Sequence, residues 1–186
     1  MFLNNGNTQL THGSWAFSHD LPGGDISKGI TSRHLWGFLD SQETVGVSPA
    51  MFGEFFYPYF KEIAGNFGLL SYGCCEPVHP YWEKYISKLP RLRKVSISPW
   101  CDEEYMGQAL QGSKVIYHRK PAPNFVGVGT VFDDDGFRAH VVKTIKAAKG
   151  CKLEFSFRDV YVLNGDPTKP RKAVKIVREE LEKHWK

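Results

Sequence analysis

The sequence predicts an α/β fold in which crossover helices join the strands of a parallel sheet. Between residues 35 and 186, short apolar stretches typical of strands alternate five times with stretches of helical periodicity. This alternation is typical of parallel sheets. Reactive polar residues follow each apolar stretch, and the carboxyl ends of parallel strands form the active site in such folds.

The five predicted strands are short apolar runs that end in polar residues. They cover about residues 35–39, 69–73, 94–98, 114–117 and 151–157, and residues 13–17 are a candidate for a sixth strand. Ser48 and Pro49 are typical of an N-cap and a first helical position, and they open a helix whose apolar face reaches Ile63. The other predicted helices cover about residues 79–88, 102–110, 133–148 and the stretch from 168 to the C-terminus.

Residues 1–34 differ in composition from residues 35–186. They are rich in Asn, Gly, Ser and Thr, include Pro22-Gly23-Gly24 and have no sustained period. We therefore expect an irregular N-terminal arm or loop at 1–34, followed by one α/β unit at 35–186.

The composition excludes several classes of protein. The chain is 41% hydrophobic and 24% charged with a mean hydropathy of −0.36, which excludes intrinsic disorder and collagen-like repeats. No apolar stretch approaches the roughly 18 residues that cross a bilayer, and the N-terminus lacks a signal-peptide pattern, so we expect a cytoplasmic protein without membrane contact. The net charge of +4 is not gathered into a basic stripe, so nucleic acid is not an expected partner.

Polar residues at the predicted strand ends supply the candidate catalytic and substrate-binding groups. Asp159 and Glu43 suit either acid–base catalysis or an internal ion pair, and Gln42 at the first strand end is a candidate substrate-binding residue. His118, Arg119 and Lys120 form a cationic cluster at a strand end that suits a carboxylate or phosphate, with His118 as a catalytic candidate and Arg119 and Lys120 as substrate-binding candidates. A basic turn away from the chemistry is the alternative for these three residues.

Three cysteines and one histidine are candidate metal ligands. They are Cys74, Cys75, His79 and Cys101. Zinc takes mixed sulfur and nitrogen ligands of this kind, although the spacing is not that of a zinc finger. Burial of the thiols in the core, with His79 capping the next helix, is the alternative. Disulfide bonds are not expected in a cytosolic protein.

Four motifs resemble the C-terminal part of uroporphyrinogen decarboxylase-like proteins, and more narrowly the bacterial branch related to corrinoid-dependent methyltransferases. The motifs span 42–52, 72–79, 96–102 and 119–121, and the resemblance covers about 12–186. It implies part of a (β/α)8 TIM-type barrel, about five βα units of its C-terminal part. Because a full barrel needs about 250 residues, it also implies a fragment of a longer enzyme or a homo-oligomer that pairs across open sheet edges.

The resemblance implies methyl transfer between a corrinoid protein and a small thiol or amine. Cys75 and His79 would hold zinc, with Cys74 or Cys101 as substitute ligands. The family's methyltransferases use a His-x-Cys motif, and Gly73 stands at the histidine position in this chain. One alternative is decarboxylase-like activity on a carboxylated tetrapyrrole without metal, with Arg119 and Lys120 binding carboxylates. The other is a catalytically silent half-barrel that acts through self-association.

Overall fold

The N-terminal part of the chain contributes a short hairpin. A computed structural model of the protein describes residues 8–11, 14–16, 20–21 and 26–185. Strands β1 (Thr8–Thr11) and β2 (Ser14–Ala16) pair in antiparallel fashion, and β2 coincides with the candidate strand at 13–17. Most of the remaining arm before residue 26 lies outside the described residues.

A five-stranded parallel sheet forms the centre of the fold, as the alternation predicted. Its strands are β3 (Trp36–Leu39), β4 (Leu69–Tyr72), β5 (Leu92–Ile97), β6 (Ile116–Arg119) and β7 (Lys152–Phe155). Each strand pairs with the next one along the chain, so the order in the sheet is the order in the sequence. Successive strands are therefore neighbours and all their carboxyl ends lie at one edge.

Seven helices connect or flank these strands in the described residues. They are α1 (Pro49–Phe55), α2 (Tyr57–Gly65), α3 (His79–Trp82), α4 (Glu103–Leu110), α5 (Asn124–Gly127), α6 (Asp134–Ala147) and α7 (Lys169–His184). The side chains of Ser48, Asp102 and Asp133 accept hydrogen bonds from backbone N–H groups in the first turns of α1, α4 and α6.

Two predicted helices are shorter than expected. The helix predicted from residue 49 divides into α1 and α2 at Phe56, because Pro58 has no N–H to continue the hydrogen-bond ladder. The helix predicted over 79–88 ends at Trp82, and a single 3-10 turn follows at Ile86–Lys88. Neither change moves a strand end.

The two faces of the sheet differ in chemistry because side chains alternate along each strand. The helix-covered face is apolar, with Tyr72, Val95, Ile97 and Tyr117 in the core. The opposite face carries polar and charged side chains that are nonetheless buried. They are Ser71, Lys94, Ser96, His118 and Lys120.

Contacts on this polar face join strands that are not neighbours. Lys94 on β5 forms an ion pair with Glu154 on β7, across β6. The Nζ of Lys120, just after β6, donates to the carbonyl of Cys74, just after β4, at 3.2 Å. Strands two apart lie about 9–10 Å from each other in a flat sheet, and the long lysine side chains span this distance. Groups from strands that are not neighbours therefore come together at the carboxyl edge.

Candidate functional site

A thiol and a carboxylate from two distant strands meet at the carboxyl edge. The Sγ of Cys75, which follows β4, donates to Oδ2 of Asp159, which follows β7, at 3.2 Å. Asp159 has a positive φ of 60°. Among residues other than glycine, Asp and Asn are those most often found in this left-handed region. Asp159 also accepts from Nε of Arg158 at 3.2 Å and from the Tyr161 hydroxyl at 3.3 Å.

The surroundings keep Cys75 protonated. Burial and the hydrogen bond and charge of Asp159 raise the pKa of the Cys75 thiol to about 12. Burial also acts to raise the pKa of Asp159, but the hydrogen bonds from Cys75, Arg158 and Tyr161 outweigh it, and that pKa is lowered. At neutral pH the pair is therefore a neutral thiol and a carboxylate, with the proton on sulfur.

Lys120 adds a buried ammonium group to the same edge. Its side chain is 3% exposed, and its Nζ donates to the carbonyl oxygen of Cys74. Burial lowers its pKa, and the nearby Cys75 and the carboxylates of Glu76, Asp159 and Asp40 act in the opposite direction. The predicted substrate-binding residue Lys120 thus lies close to two of the predicted site residues, Cys75 and Asp159.

The Glu76 carboxylate links the chain after β3 to the chain after β4 by hydrogen bonds. Its carboxylate accepts from the backbone N–H of Ser41, after β3, at 3.0 Å and from that of Cys74 at 2.9 Å. Burial raises the pKa of Glu76, although the hydrogen bond from Ser41 opposes the rise. Sequence reasoning did not assign it a role. The only signal was its position directly after two cysteines at a strand end.

An open pocket of about 350 Å³ adjoins Cys75. It is lined by Gln42, Val45, Cys75, Glu76, Pro77 and Trp100. Trp100 is 62% exposed, which makes it an available apolar contact for a ligand. Gln42 lines this pocket, and its role as a substrate-binding residue stays a prediction. Glu43 is exposed on the same 3-10 turn and does not line this pocket.

The three cationic residues predicted to act together are divided between the two faces of the sheet. Arg119 points to the helix side, where it donates to the carbonyls of Ile97 and Ser98 and forms a buried ion pair with Glu103 at 2.9 Å. It therefore fixes the chain after β5 and does not face the same side as Lys120.

His118 lies on the polar face, deeper than Lys120. It is 1% exposed, and its Nε2 is 2.6 Å from the hydroxyl of Ser156. Burial and the nearby charges of Lys94 and Lys120 lower the pKa of His118 well below its usual value. The ring is consequently neutral at physiological pH, and the Ser156 hydroxyl is a hydrogen-bond partner of its Nε2.

The predicted metal ligands do not converge in the structure. Cys74 accepts a hydrogen bond from Gln42 at 3.0 Å, Cys101 accepts from the backbone N–H of Val78 at 3.3 Å, and His79 accepts from that of Asp102 at 3.2 Å. The described residues contain no group of three or more His, Cys, Asp or Glu side chains arranged to hold a metal ion.

The donor set is also too small for the zinc that the resemblance implies. Zinc in proteins usually has three or four protein ligands. Cys75 and Asp159 supply two suitable atoms 3.2 Å apart, and the remaining predicted ligands are engaged elsewhere. The arrangement of the described side chains therefore does not fit a complete zinc site, and zinc binding stays a prediction.

No helix in the described part of the chain is long and apolar enough to cross a membrane. Comparisons with protein-family models, curated proteins and solved structures gave no match.

Proposed function

We propose that this chain carries the active site of an enzyme of the uroporphyrinogen decarboxylase superfamily, at the carboxyl ends of the strands of a partial (β/α)8 barrel. The motifs at 42–52 and 72–79 support this proposal, because they lie at the edge where the polar groups meet. The sequential order of the parallel strands and the contact between the segments that follow β4 and β7 support the barrel. Both features are typical of a barrel wall.

The substrate is a carboxylated small molecule, and a carboxylated tetrapyrrole is the class that the resemblance names. The observation that carries this proposal is the contact of Cys75, which lines the pocket, with Asp159, together with the buried Lys120 ammonium group on the carbonyl of the adjacent Cys74. A buried ammonium group binds a carboxylate strongly because water does not compete for it. The pocket volume of about 350 Å³ suits one acidic ring of a larger substrate, with Trp100 against its face.

The reaction is a decarboxylation without metal. The bond between the substrate carbon and its carboxylate breaks, CO2 leaves, and the electron pair remains on carbon. That carbon then takes the proton of the Cys75 thiol, which the high pKa keeps in place until the carbanion forms. Lys120 stabilises the resulting thiolate, which takes a proton back from water.

The release of CO2 from uroporphyrinogen, measured with chelator present, tests this function. We expect turnover by the protein, strong loss in Lys120→Met, and little change in Lys169→Met. Lys169 is a matched control, because it is also buried and its Nζ also donates to a backbone carbonyl, that of Gly129 at 2.6 Å. Equal activity in the two variants, or no CO2 release from the unaltered protein, would contradict the proposal.

A zinc- and corrinoid-dependent methyltransferase is the second candidate. The contact between Cys75 and Asp159 favours it, because a thiolate and a carboxylate are both zinc ligands. This function requires further ligands from a partner or substrate. The test is the zinc content of protein purified without chelator. About one zinc per chain that is lost in Cys75→Ser would favour this function over the decarboxylase. No zinc uptake after zinc is supplied would exclude it for this chain.

Self-association is the third candidate. Met51, Phe55 and Tyr59 on α1 and α2 are exposed at about helical spacing, which suits contact with a second copy of the chain. A homo-oligomer is expected by light scattering, and a 21 kDa monomer would contradict it.

A further inference from the structure

The amine of Lys120 is buried next to the chain that lines the pocket. Its side chain is 3% exposed, and its Nζ is 3.2 Å from the carbonyl oxygen of Cys74. That carbonyl belongs to the peptide group that joins Cys74 to Cys75, and Cys75 lines the pocket of about 350 Å³. The amine is therefore one peptide group away from a space that a small molecule can occupy.

The hydrogen bond that Lys120 donates can be given up without leaving its acceptor unpaired. The carbonyl oxygen of Cys74 also accepts from the Ser96 hydroxyl at 2.9 Å, so it keeps a partner when the lysine moves. Lys120 has no ion-pair partner in the described part of the chain. Since an ion pair would favour the protonated amine, which has no lone pair, its absence leaves the Nζ free to react.

The surroundings of Lys120 suit an imine. Burial favours the neutral amine, and desolvated lysines of this kind attack carbonyl carbons to form Schiff bases. The carboxylates of Glu76, Asp159 and Asp40 are near enough to act on the charge of Lys120. They would stabilise the protonated imine, because it carries the same positive charge as the ammonium group.

The lining of the pocket indicates the kind of carbonyl compound. Val45, Pro77 and Trp100 supply apolar surface, and Trp100 is 62% exposed. When the amine is neutral, the carboxylates around it disfavour a further anion. The arrangement therefore suits an uncharged aldehyde or ketone with an aromatic or branched apolar body.

We propose that Lys120 forms an imine with a small uncharged aldehyde or ketone that enters the pocket at Cys75. The Nζ lone pair attacks the carbonyl carbon, and a carbon–nitrogen double bond replaces the carbon–oxygen double bond. The two hydrogens of the neutral amine leave with the carbonyl oxygen as water, and the imine nitrogen then takes a proton from solvent. This activity goes beyond the proposed function, which uses the ammonium form of Lys120 and a carboxylate.

Reductive trapping of the imine tests the proposal. The unaltered protein would be treated with benzaldehyde and cyanoborohydride at neutral pH, and the benzyl adduct at each lysine would be measured by peptide mass spectrometry. Lys120 should be labelled about tenfold or more faster than Lys175, which is 77% exposed, because burial increases the fraction of neutral amine. Lys169 is the control for burial alone. It is also buried and donates to the carbonyl of Gly129, but it does not line the pocket, so it should be labelled more slowly than Lys175.

Trp100→Ala tests whether the pocket admits the aldehyde. This variant should slow the labelling of Lys120 by benzaldehyde about threefold or more and should change labelling by acetaldehyde little, because acetaldehyde has no aromatic ring to stack. Tyr59→Ala is the matched control, since Tyr59 is 63% exposed on α2 and does not line the pocket. Equal slowing in the two variants would contradict entry through this pocket.

The outcomes separate this inference from the proposed function. Labelling of Lys120 no faster than that of Lys169 would overturn the inference, whereas CO2 release from uroporphyrinogen that is lost in Lys120→Met would leave the proposed function standing. Selective labelling of Lys120 without CO2 release would support the inference and contradict the proposed function. If glyoxylate, an anionic aldehyde, labels Lys120 relative to Lys175 better than benzaldehyde does, the assignment to an uncharged carbonyl compound is wrong.

Discussion

The Cys75 thiol donates to the Asp159 carboxylate at 3.2 Å although 84 residues separate them and two strands lie between β4 and β7 in the sheet. In a flat sheet the ends of these strands would lie about 14 Å apart. The contact is made by the segments that follow the two strands, since Cys75 lies beyond the end of β4 and Asp159 beyond the end of β7. The ammonium group of Lys120, just after β6, likewise reaches the chain at Cys74.

Asp159→Asn should make Cys75 more reactive. Asparagine tolerates the left-handed backbone at this position, so the fold is kept, while the charge that helps to raise the thiol pKa is removed. Each unit by which the pKa falls should increase the rate of alkylation by iodoacetamide about threefold at pH 8.5, because gained thiolate outweighs lost nucleophilicity.

Cys75→Ser provides the control for this measurement. In this variant the measured alkylation comes only from the other three cysteines, which are buried. If iodoacetamide alkylates the Asp159→Asn variant no faster than the unaltered protein, the carboxylate does not raise the pKa of the Cys75 thiol.

Arg119→Met should destabilise the protein without affecting the chemistry of the thiol. The substitution leaves the buried Glu103 carboxylate without its ion-pair partner, and removal of one member of a buried pair costs about 3–5 kcal/mol of unfolding free energy. Urea unfolding measures the loss. The double variant Arg119→Met/Glu103→Met should be less destabilised than the sum of the two single variants.

Lys175→Met is the comparison for this pair. Lys175 is 77% exposed and its ion pair with Glu179 is at the surface, so its loss should leave the urea midpoint nearly unchanged. Similar losses in Lys175→Met and Arg119→Met would show that the Arg119 pair is not structurally important.

The neutral His118 ring should make the protein less stable as pH falls from about 7.5 to 5.5. The folded-state pKa of His118 is well below 6.5 because of burial and nearby lysines. The unfolded state therefore binds a proton that the folded state does not, and stability falls by up to about 1.4 kcal/mol per pH unit below the unfolded pKa.

Urea midpoints measured across this range for His118→Gln provide the check. Glutamine can keep a hydrogen bond to Ser156 but does not titrate, so its variant should show a shallower decline. An equally steep decline would mean that other groups, such as His140, whose pKa burial lowers to about 4, cause the whole effect.

Local patterns in the sequence were sufficient to predict the strands and the edge that carries the polar residues. The orientation of Arg119 was not predictable, because the expected strand at 114–117 ended before it. In the structure, the Ser113 hydroxyl accepts from the N–H of Val115 at 3.0 Å, and β6 runs from Ile116 to Arg119. Arg119 is thus a strand residue facing α4, where its partner Glu103 comes from a separate element.

The contact of Cys75 with Asp159 also lay beyond sequence reasoning. Both residues could be assigned to strand ends, but their meeting depends on the paths of the segments that follow β4 and β7. The expected zinc ligands are the opposite case, because the sequence suggested that they meet and the structure holds them apart. Cys74, His79 and Cys101 are near Cys75 in sequence or at neighbouring strand ends, yet backbone or amide hydrogen bonds hold each one in a different place.

Protection of Cys75 from alkylation by a carboxylated ligand is the most direct test of the proposed site. Uroporphyrin would be titrated into chelator-treated protein, and iodoacetamide labelling at pH 9 would be measured for each cysteine by peptide mass spectrometry. The proposed site requires slower labelling of Cys75, unchanged labelling of buried Cys151, and loss of the protection in Lys120→Met. Unchanged labelling of Cys75 at saturating uroporphyrin would contradict a carboxylate-binding active site at this edge.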